Sequence, residues 1–245
     1  MSGIHFEEAR GPDGIRLYAI GDVHGCRDHL AEMHRLIHAE IIRDKPADWR
    51  IIHLGDYVDR GPDSRGVIDF LIGAMQADDR VLALAGNHDV GFLEFLAEPD
   101  PYGLFARYGG LETAHSYGVE IDLADADRFR ESCAALAEAV PPAHVAFLRG
   151  LGFSATFGDF FFCHAGVRPG TSLDRQDPQD LIWIRDVFLN HSGLFEKVVV
   201  HGHTPVLAPE VLANRINVDS AAFQSGRLTA LAIDGAQKRL FAVKG

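Results

Sequence analysis

Cysteine is scarce in this chain, with three thiols, Cys26, Cys133 and Cys163, in 245 residues. The count is odd and no CxxC spacing occurs, so no disulfide framework is expected. Cys26 and Cys163 lie beside motif residues, and all three are expected as small buried side chains in a reducing cytoplasm. Long apolar runs are missing too. None approaches the length of a membrane span, and residues 1–14 are polar, without the apolar stretch of a secretory signal. Basic clusters are the third absence. There are 23 Lys and Arg against 35 Asp and Glu, for a net charge of −12. A long nucleic acid needs a basic footprint, so that partner is not expected. A small phosphate compound stays open, because bound metals can dominate a local field. The expectation is a cytoplasmic protein with no membrane partner.

Glycine is plentiful, at 25 residues, and apolar residues make up 47 % of the chain. That is enough for one large α/β domain with a substantial core. Several glycines belong to five short motifs: Gly-Asp-Val-His-Gly at 21–25, Gly-Asp-Tyr-Val-Asp-Arg-Gly at 55–61, Gly-Asn-His-Asp at 86–89, His-Ala-Gly at 164–166 and Gly-His-Thr at 202–204. Each follows an apolar run that reads as a strand, and each offers Asp, Asn or His, the side chains that hold divalent metals.

Residues 17–20, 50–54 and 81–85 read as strands. A helix of apolar period runs from Asp28 to about Ile42, and a second is capped by Asp63 or Ser64. This β-α-β-α-β order predicts a parallel sheet, with the first three motifs at strand exits, where α/β sheets place ligands. Residues 90 to about 150 read as a mostly helical insert capping the site. It comprises a helix after the third motif, a looser stretch from Tyr108-Gly109-Gly110, and a helix from Asp125 to Val140 broken by Pro141-Pro142. From Phe153 onward short strands follow at 160–163, 198–200, 215–218, 228–233 and 240–243. They suggest a second, mixed sheet packed on the first. The fold class is α/β, an α+β sandwich of two mixed sheets flanked by helices.

Asp22 and His24 are two residues apart at a strand end, so strand alternation lets them share one metal. Asp56 has two oxygens and can bridge two metals. Asn87 offers an amide oxygen, and His164 and His203 offer imidazole nitrogen. Mixed O/N donors suit Mn, Fe or Zn better than Mg or Ca. Five such motifs point to a two-metal site and to phosphate-ester hydrolysis.

The motif set resembles that of the metallophosphoesterase superfamily, and within it the phosphoprotein phosphatases, including their small bacterial and phage members. The match runs from about residue 17 to 222. It implies a calcineurin-like fold with one metal on Asp22, His24 and Asp56, and a second on Asp56, Asn87, His164 and His203. Two divalent ions, Mn2+ first and Fe or Zn otherwise, would activate a bridging hydroxide for direct attack on phosphorus. The resemblance also implies that His88 protonates the leaving oxygen, that Asp59 orients His88, and that Arg60 and Arg185 grip the phosphate. Arg185 lies in Leu-Ile-Trp-Ile-Arg, similar to a Trp-x-Arg segment of the bacterial and phage members. Arg168 either reads part of the substrate or makes a surface ion pair. His53 and Tyr57 are expected in the core, and His201 behind the ligands or packed.

The chain departs from the pattern in three places. Asp89 replaces a Glu, Asp219-Ser220-Ala221 replaces Asp-Thr-Gly, and Pro205 stands where wider relatives carry a further ligand. With Asp59 present, the first expectation for function is a protein Ser/Thr phosphatase, with phosphotyrosine as a variant substrate. The alternative is a symmetrical diadenosine tetraphosphatase, whose members share Gly-Asp-Val-His-Gly-Cys and Gly-Asn-His-Asp but usually lack the Asp59 equivalent. A phosphatase-like fold kept as a metal-bound binding module is the third.

Overall fold

The computed structural model describes residues 3–245. It contains ten strands: β1 (Ile15–Ile20), β2 (Asp48–His53), β3 (Val81–Ala83), β4 (Ser154–Phe157), β5 (Phe160–Cys163), β6 (Val198–His201), β7 (Glu210–Val211), β8 (Arg215–Asn217), β9 (Arg227–Asp234) and β10 (Gln237–Lys244). They form two five-stranded sheets, in the orders β10-β9-β1-β2-β3 and β4-β5-β6-β8-β7. In the first, β1, β2 and β3 are parallel. In the second, β5, β6 and β8 are parallel. Antiparallel strands flank each parallel trio.

The period-2 alternation of the strands explains the layering. Leu17, Ala19 and Ile52 of the first sheet meet Phe160, Phe162, Val198, Val200 and Ile216 of the second, forming an apolar layer between the sheets. The alternate residues Tyr18, Ile20 and Ile51 face outward beneath helices α1 (Arg27–Asp44), α2 (Ser64–Ala77) and α3 (Asn87–Ala97). Phe161, Cys163 and Val199 face outward on the second sheet, under Leu181, Ile184 and Phe188. Strands buried on both faces read as apolar runs, as residues 17–20, 160–163 and 198–200 do.

Helix α2 starts where Asp63 accepts the Gly66 N–H at 2.8 Å. The remaining helices are α4 (Leu104–Arg107), α5 (Gly110–Ser116), α6 (Ala126–Ala139), α7 (Pro142–Arg149), α8 (Pro178–Trp183), α9 (Asp186–Leu189) and α10 (Ala222–Ser225). Phe95, Phe105, Tyr117, Leu136 and Leu148, from the helices of the 90–150 segment and the residue ending α5, join the core that α1 and α2 share.

Three local expectations change. The stretch after Gly109 is not loose but forms α5, since Gly109 adopts φ 105° and turns the chain into it. The third strand stops at Ala83, and Leu84 makes only an isolated parallel bridge to Gly152. The late strands do not all build the second sheet. β9 pairs with β1 in the first sheet and β10 forms its edge; the alternation of β9 buries Leu231 and Ile233 between the sheets and Ala230 and Ala232 beneath α1. All three cysteines are buried and free. No helix of the described residues is long and apolar enough to cross a membrane.

Candidate metal centre

The six parallel strands end at one place, and their exits carry the motif residues. Asp22 and His24 follow β1, Asp56 follows β2, and Asn87 and His88 open α3 after β3. His164 follows β5, His203 follows β6, and Asp219 follows β8. All eight side chains are buried. The turns are tight enough to force left-handed backbone on His24, Asp56, Asp59, Arg60 and His203, with φ between 42° and 71°. Such a conformation costs a non-glycine residue on the order of 1–3 kcal/mol, and such residues concentrate at functional sites. Here the loops lock one another: the Val23 and His24 N–H groups both donate to the Asp56 carbonyl, at 3.1 and 2.8 Å.

Two glycines are required by close approach. A Cβ on Gly202 would lie 1.9 Å from Asp22 Oδ1, and one on Gly86 would lie 2.1 Å from Asp56 Oδ1. Each carboxylate rests directly on backbone, which explains the glycine of both motifs.

The donor atoms converge in two groups that share Asp56. His24, Asp56 and His88 form one; Asp56, His164 and His203 form the other. In the first, His24 Nε2 is 3.3 Å from Asp56 Oδ2. In the second, His164 Nε2 is 3.4 Å from the same oxygen, 3.0 Å from Asn87 Oδ1 and 3.2 Å from His203 Nδ1. Asp22 enters through His203, whose N–H donates to its carboxylate at 3.0 and 3.3 Å. The tautomers suit ligation. The Nδ1 of His24 bonds to the Val58 carbonyl at 2.7 Å and that of His164 to the Leu54 carbonyl at 3.0 Å, which leaves each Nε2 lone pair pointing inward. Lone pairs of Nε2, Nδ1, Oδ1 and Oδ2 crowded within these distances repel unless a cation or proton lies among them. His203 Nε2 is also buried without a partner. The donor set therefore fits divalent metal on both sides of Asp56.

The local field agrees. Burial pushes His24 down to about 3 and His203 down to about 2. Burial works against protonation of His164 as well, but Asp56 and Asp22 outweigh it and raise that imidazole to about 9. Burial and the neighbouring Asp219 raise Asp22 well above the carboxylate range. Concentrated buried negative charge needs a cationic partner.

His88 stands with the first group, but its Nδ1 faces Asp59 Oδ2 at 2.6 Å, leaving Nε2 toward the open side. Asp59 is held by the Thr113 hydroxyl, which accepts its N–H at 2.7 Å and donates to its Oδ1 at 2.9 Å. Ser64 Oγ accepts the same N–H at 3.1 Å. Burial raises Asp59 above its usual range, and the His88 bond pulls it back. Arg60 is pinned by its N–H to the Gly109 carbonyl, 2.9 Å. Its guanidinium meets His24 Nε2 at 3.1 Å and His88 Nε2 at 3.0 Å.

Arg185, between α8 and α9, is exposed, and its guanidinium makes no hydrogen bond among the described residues. Its charge lies within reach of His203. Arg168 bonds through both guanidinium arms to Asp180, with Nε at 2.6 Å, a half-exposed surface ion pair. His53 and Tyr57 are fully buried, and His201 is packed with Nδ1 against the Gly202 carbonyl at 3.0 Å. Sequence reasoning missed Thr113 and Ser64, which no motif marks, and two aromatic neighbours. Phe223 meets the His24 ring edge-on at 5.5 Å, and Trp183 meets the His203 ring at 6.1 Å. A large apolar residue in the turn after Asp219-Ser220 was the available signal for Phe223.

The sequence pattern described as calcineurin-like phosphoesterase matches residues 15–223. A bis(5'-nucleosyl)-tetraphosphatase PrpE [asymmetrical] from Anoxybacillus flavithermus is 26 % identical over 231 residues, covering 86 % of this chain and 88 % of its own. A symmetrical bis(5'-nucleosyl)-tetraphosphatase from Methylococcus capsulatus is 31 % identical over 160 residues, 65 % of this chain but 46 % of that protein. The crystal structure of a protein assigned as a diadenosine tetraphosphatase superposes with a TM-score of 0.65 at 22 % identity, covering 96 % of both chains, a likeness of fold. The chain belongs to the calcineurin-like phosphoesterase family.

Proposed function

We propose that this calcineurin-like phosphoesterase hydrolyses the phosphate bridge of a dinucleoside polyphosphate. The observation that carries the reading is the similarity, over 86 % of the chain, to a protein named for that activity. It reverses the order in which the sequence alone ranks the two substrates. The phosphoprotein reading stays second, favoured by the 2.6 Å contact between His88 and Asp59, the residue that set it first.

In this reading Asp22, His24 and Asp56 hold one divalent cation, and Asp56, Asn87, His164 and His203 hold the other, with manganese the proposed metal. Metals there would supply Lewis acidity, lowering the pKa of water and screening phosphoryl charge. The chain's own residues do the rest. Asp59 fixes the His88 ring with Nδ1 bonded, so that a proton on Nε2 faces the departing phosphate oxygen. Arg60 and Arg185 bring guanidinium charge to the phosphoryl oxygens from either side.

The test is product analysis with manganese-loaded protein. The substrates are diadenosine tetraphosphate and matched phosphoserine, phosphothreonine and phosphotyrosine peptides, with Asp56→Asn as the control. Release of nucleotides is expected: two ADP for a symmetrical cut, ATP and AMP for an asymmetrical one. Preference for a phosphopeptide would restore the second reading.

A further inference from the structure

Only four aromatic side chains among the described residues are exposed: Tyr102, Tyr108, Trp183 and Phe223. Two of these lie against imidazoles of the metal centre, one on each side. Trp183, 42 % exposed at the end of α8, stands edge-on to His203. Phe223, 36 % exposed in α10, stands edge-on to His24, with the Arg60 guanidinium 5.1 Å from its ring centre. His203 belongs to one donor group and His24 to the other, with Asp56 between them. The aromatics therefore bracket the phosphate-handling centre.

Rings partly exposed at this place offer flat apolar faces to a ligand held at the centre. A base stacks on an aromatic ring whatever its identity, because every base has a π-face. A dinucleoside polyphosphate has two bases joined through phosphates, which calls for one platform on each flank. A phosphorylated side chain has one organic end and calls for one.

We infer that Trp183 and Phe223 are the base-stacking platforms of the substrate site, Trp183 taking one nucleobase and Phe223 the other. This rests on the dinucleotide reading above, and the experiment separates the two. Stacking contributes on the order of 1–3 kcal/mol per base, which at about 1.4 kcal/mol per decade is roughly 5- to 150-fold.

Trp49 is buried, so in a Trp49→Phe variant the indole emission reports on Trp183 alone. ADP should quench that emission saturably, whereas pyrophosphate, with the same anhydride and no base, should not. Quenching by both alike, or by neither, overturns the assignment of Trp183. In steady state, Trp183→Leu and Phe223→Leu should each lower the ratio of kcat/KM for diadenosine tetraphosphate to that for inorganic tripolyphosphate, roughly 5- to 150-fold. An unchanged ratio removes that residue from base recognition. If the unaltered protein leaves diadenosine tetraphosphate intact, the proposed hydrolysis is wrong, and the ADP quench by itself decides the stacking.

Discussion

The Asp89 carboxylate holds Asp56 in place: Oδ2 accepts the Asp56 N–H at 2.8 Å. The same oxygen accepts the Gly86 N–H at 2.9 Å, and Oδ1 accepts that of Tyr57 at 2.9 Å. One side chain thus caps α3 and fastens the second motif to the third. Asp56 stands in left-handed backbone at φ 56° and needs that anchor. Burial and the Asp56 charge push Asp89 up to about 7, and the N–H groups of Gly86 and Tyr57 pull the other way. Asp89 is therefore an anchor for the residue shared by both donor groups.

Asp89→Asn keeps one acceptor oxygen and turns the other into a donor, so at least one buried N–H loses its partner. The expected cost is about 1–3 kcal/mol of folding stability. Displacing Asp56 should also weaken metal binding, by roughly 10- to 100-fold. Urea titration and calorimetric metal titration read the two effects. A variant with wild-type metal affinity would show that the anchor does not matter to the centre.

His88→Ala should lower kcat by roughly 10²–10⁴-fold with metal content unchanged. The second half of the statement discriminates. His88 lies within the His24–Asp56 donor group, so geometry alone would also allow it to be a ligand. Its Nδ1 is committed to Asp59, and an acid needs only its Nε2 free. Metal lost together with activity would make His88 a ligand instead.

How much of this could be read from the residues alone depends on range. β1 and β2 were legible because their ends, residues 17–20 and 51–53, are buried on both faces and are largely apolar. The candidate donors were legible because Asp22, His24, Asp56, Asn87, His164 and His203 sit in short glycine-bounded motifs at strand ends, and the structure brings His24, Asp56, His164 and His203 into two donor groups. Contacts across long separations were not. Thr113 supports Asp59 from 54 positions away and carries no local mark. The pairing of β9 with β1 was hidden for the same reason, since alternation fixes which side chains share a face and says nothing about which strand lies alongside. The substrate was least legible, because the residues flanking the donor groups, Trp183 and Phe223, lie far apart in sequence and meet the centre only through the fold.

Arg60 donates to His24 Nε2 and His88 Nε2, so it occupies the lone pair that a cation would need on the first and the nitrogen that must carry the proton for the leaving oxygen on the second. Metal on His24 and the guanidinium on the same nitrogen exclude each other. Loading the centre should free Arg60 to turn toward phosphate. Arg60→Ala should then bind metal at least as tightly as the unaltered protein while losing roughly 10²–10³-fold in kcat/KM. Weaker metal binding in that variant would mean that the arginine supports the ligand cluster rather than competing with it.

The last prediction concerns pH and a pair of histidines away from the metals. His34 in α1 and His53 in β2 face each other through Nε2 atoms 3.0 Å apart, with rings stacked at 5.1 Å. Both are buried, and one proton serves the contact between them. Burial lowers His34 to about 4 and His53 well below its ordinary value. Unfolded, each titrates near 6.5. The folded values lie below the unfolded ones, so the unfolded chain takes up protons first as pH falls. The stability from keeping the pair neutral is fully present above about pH 6.5 and is lost below it, by up to about 1.4 kcal/mol per pH unit for each histidine. Denaturant titrations of metal-loaded protein between pH 7 and pH 5 should show that slope. The His34→Leu/His53→Leu double variant should flatten it, since leucine has nothing to protonate. A variant that loses stability as steeply as the unaltered protein would move the acid sensitivity to the buried carboxylates and imidazoles of the metal centre.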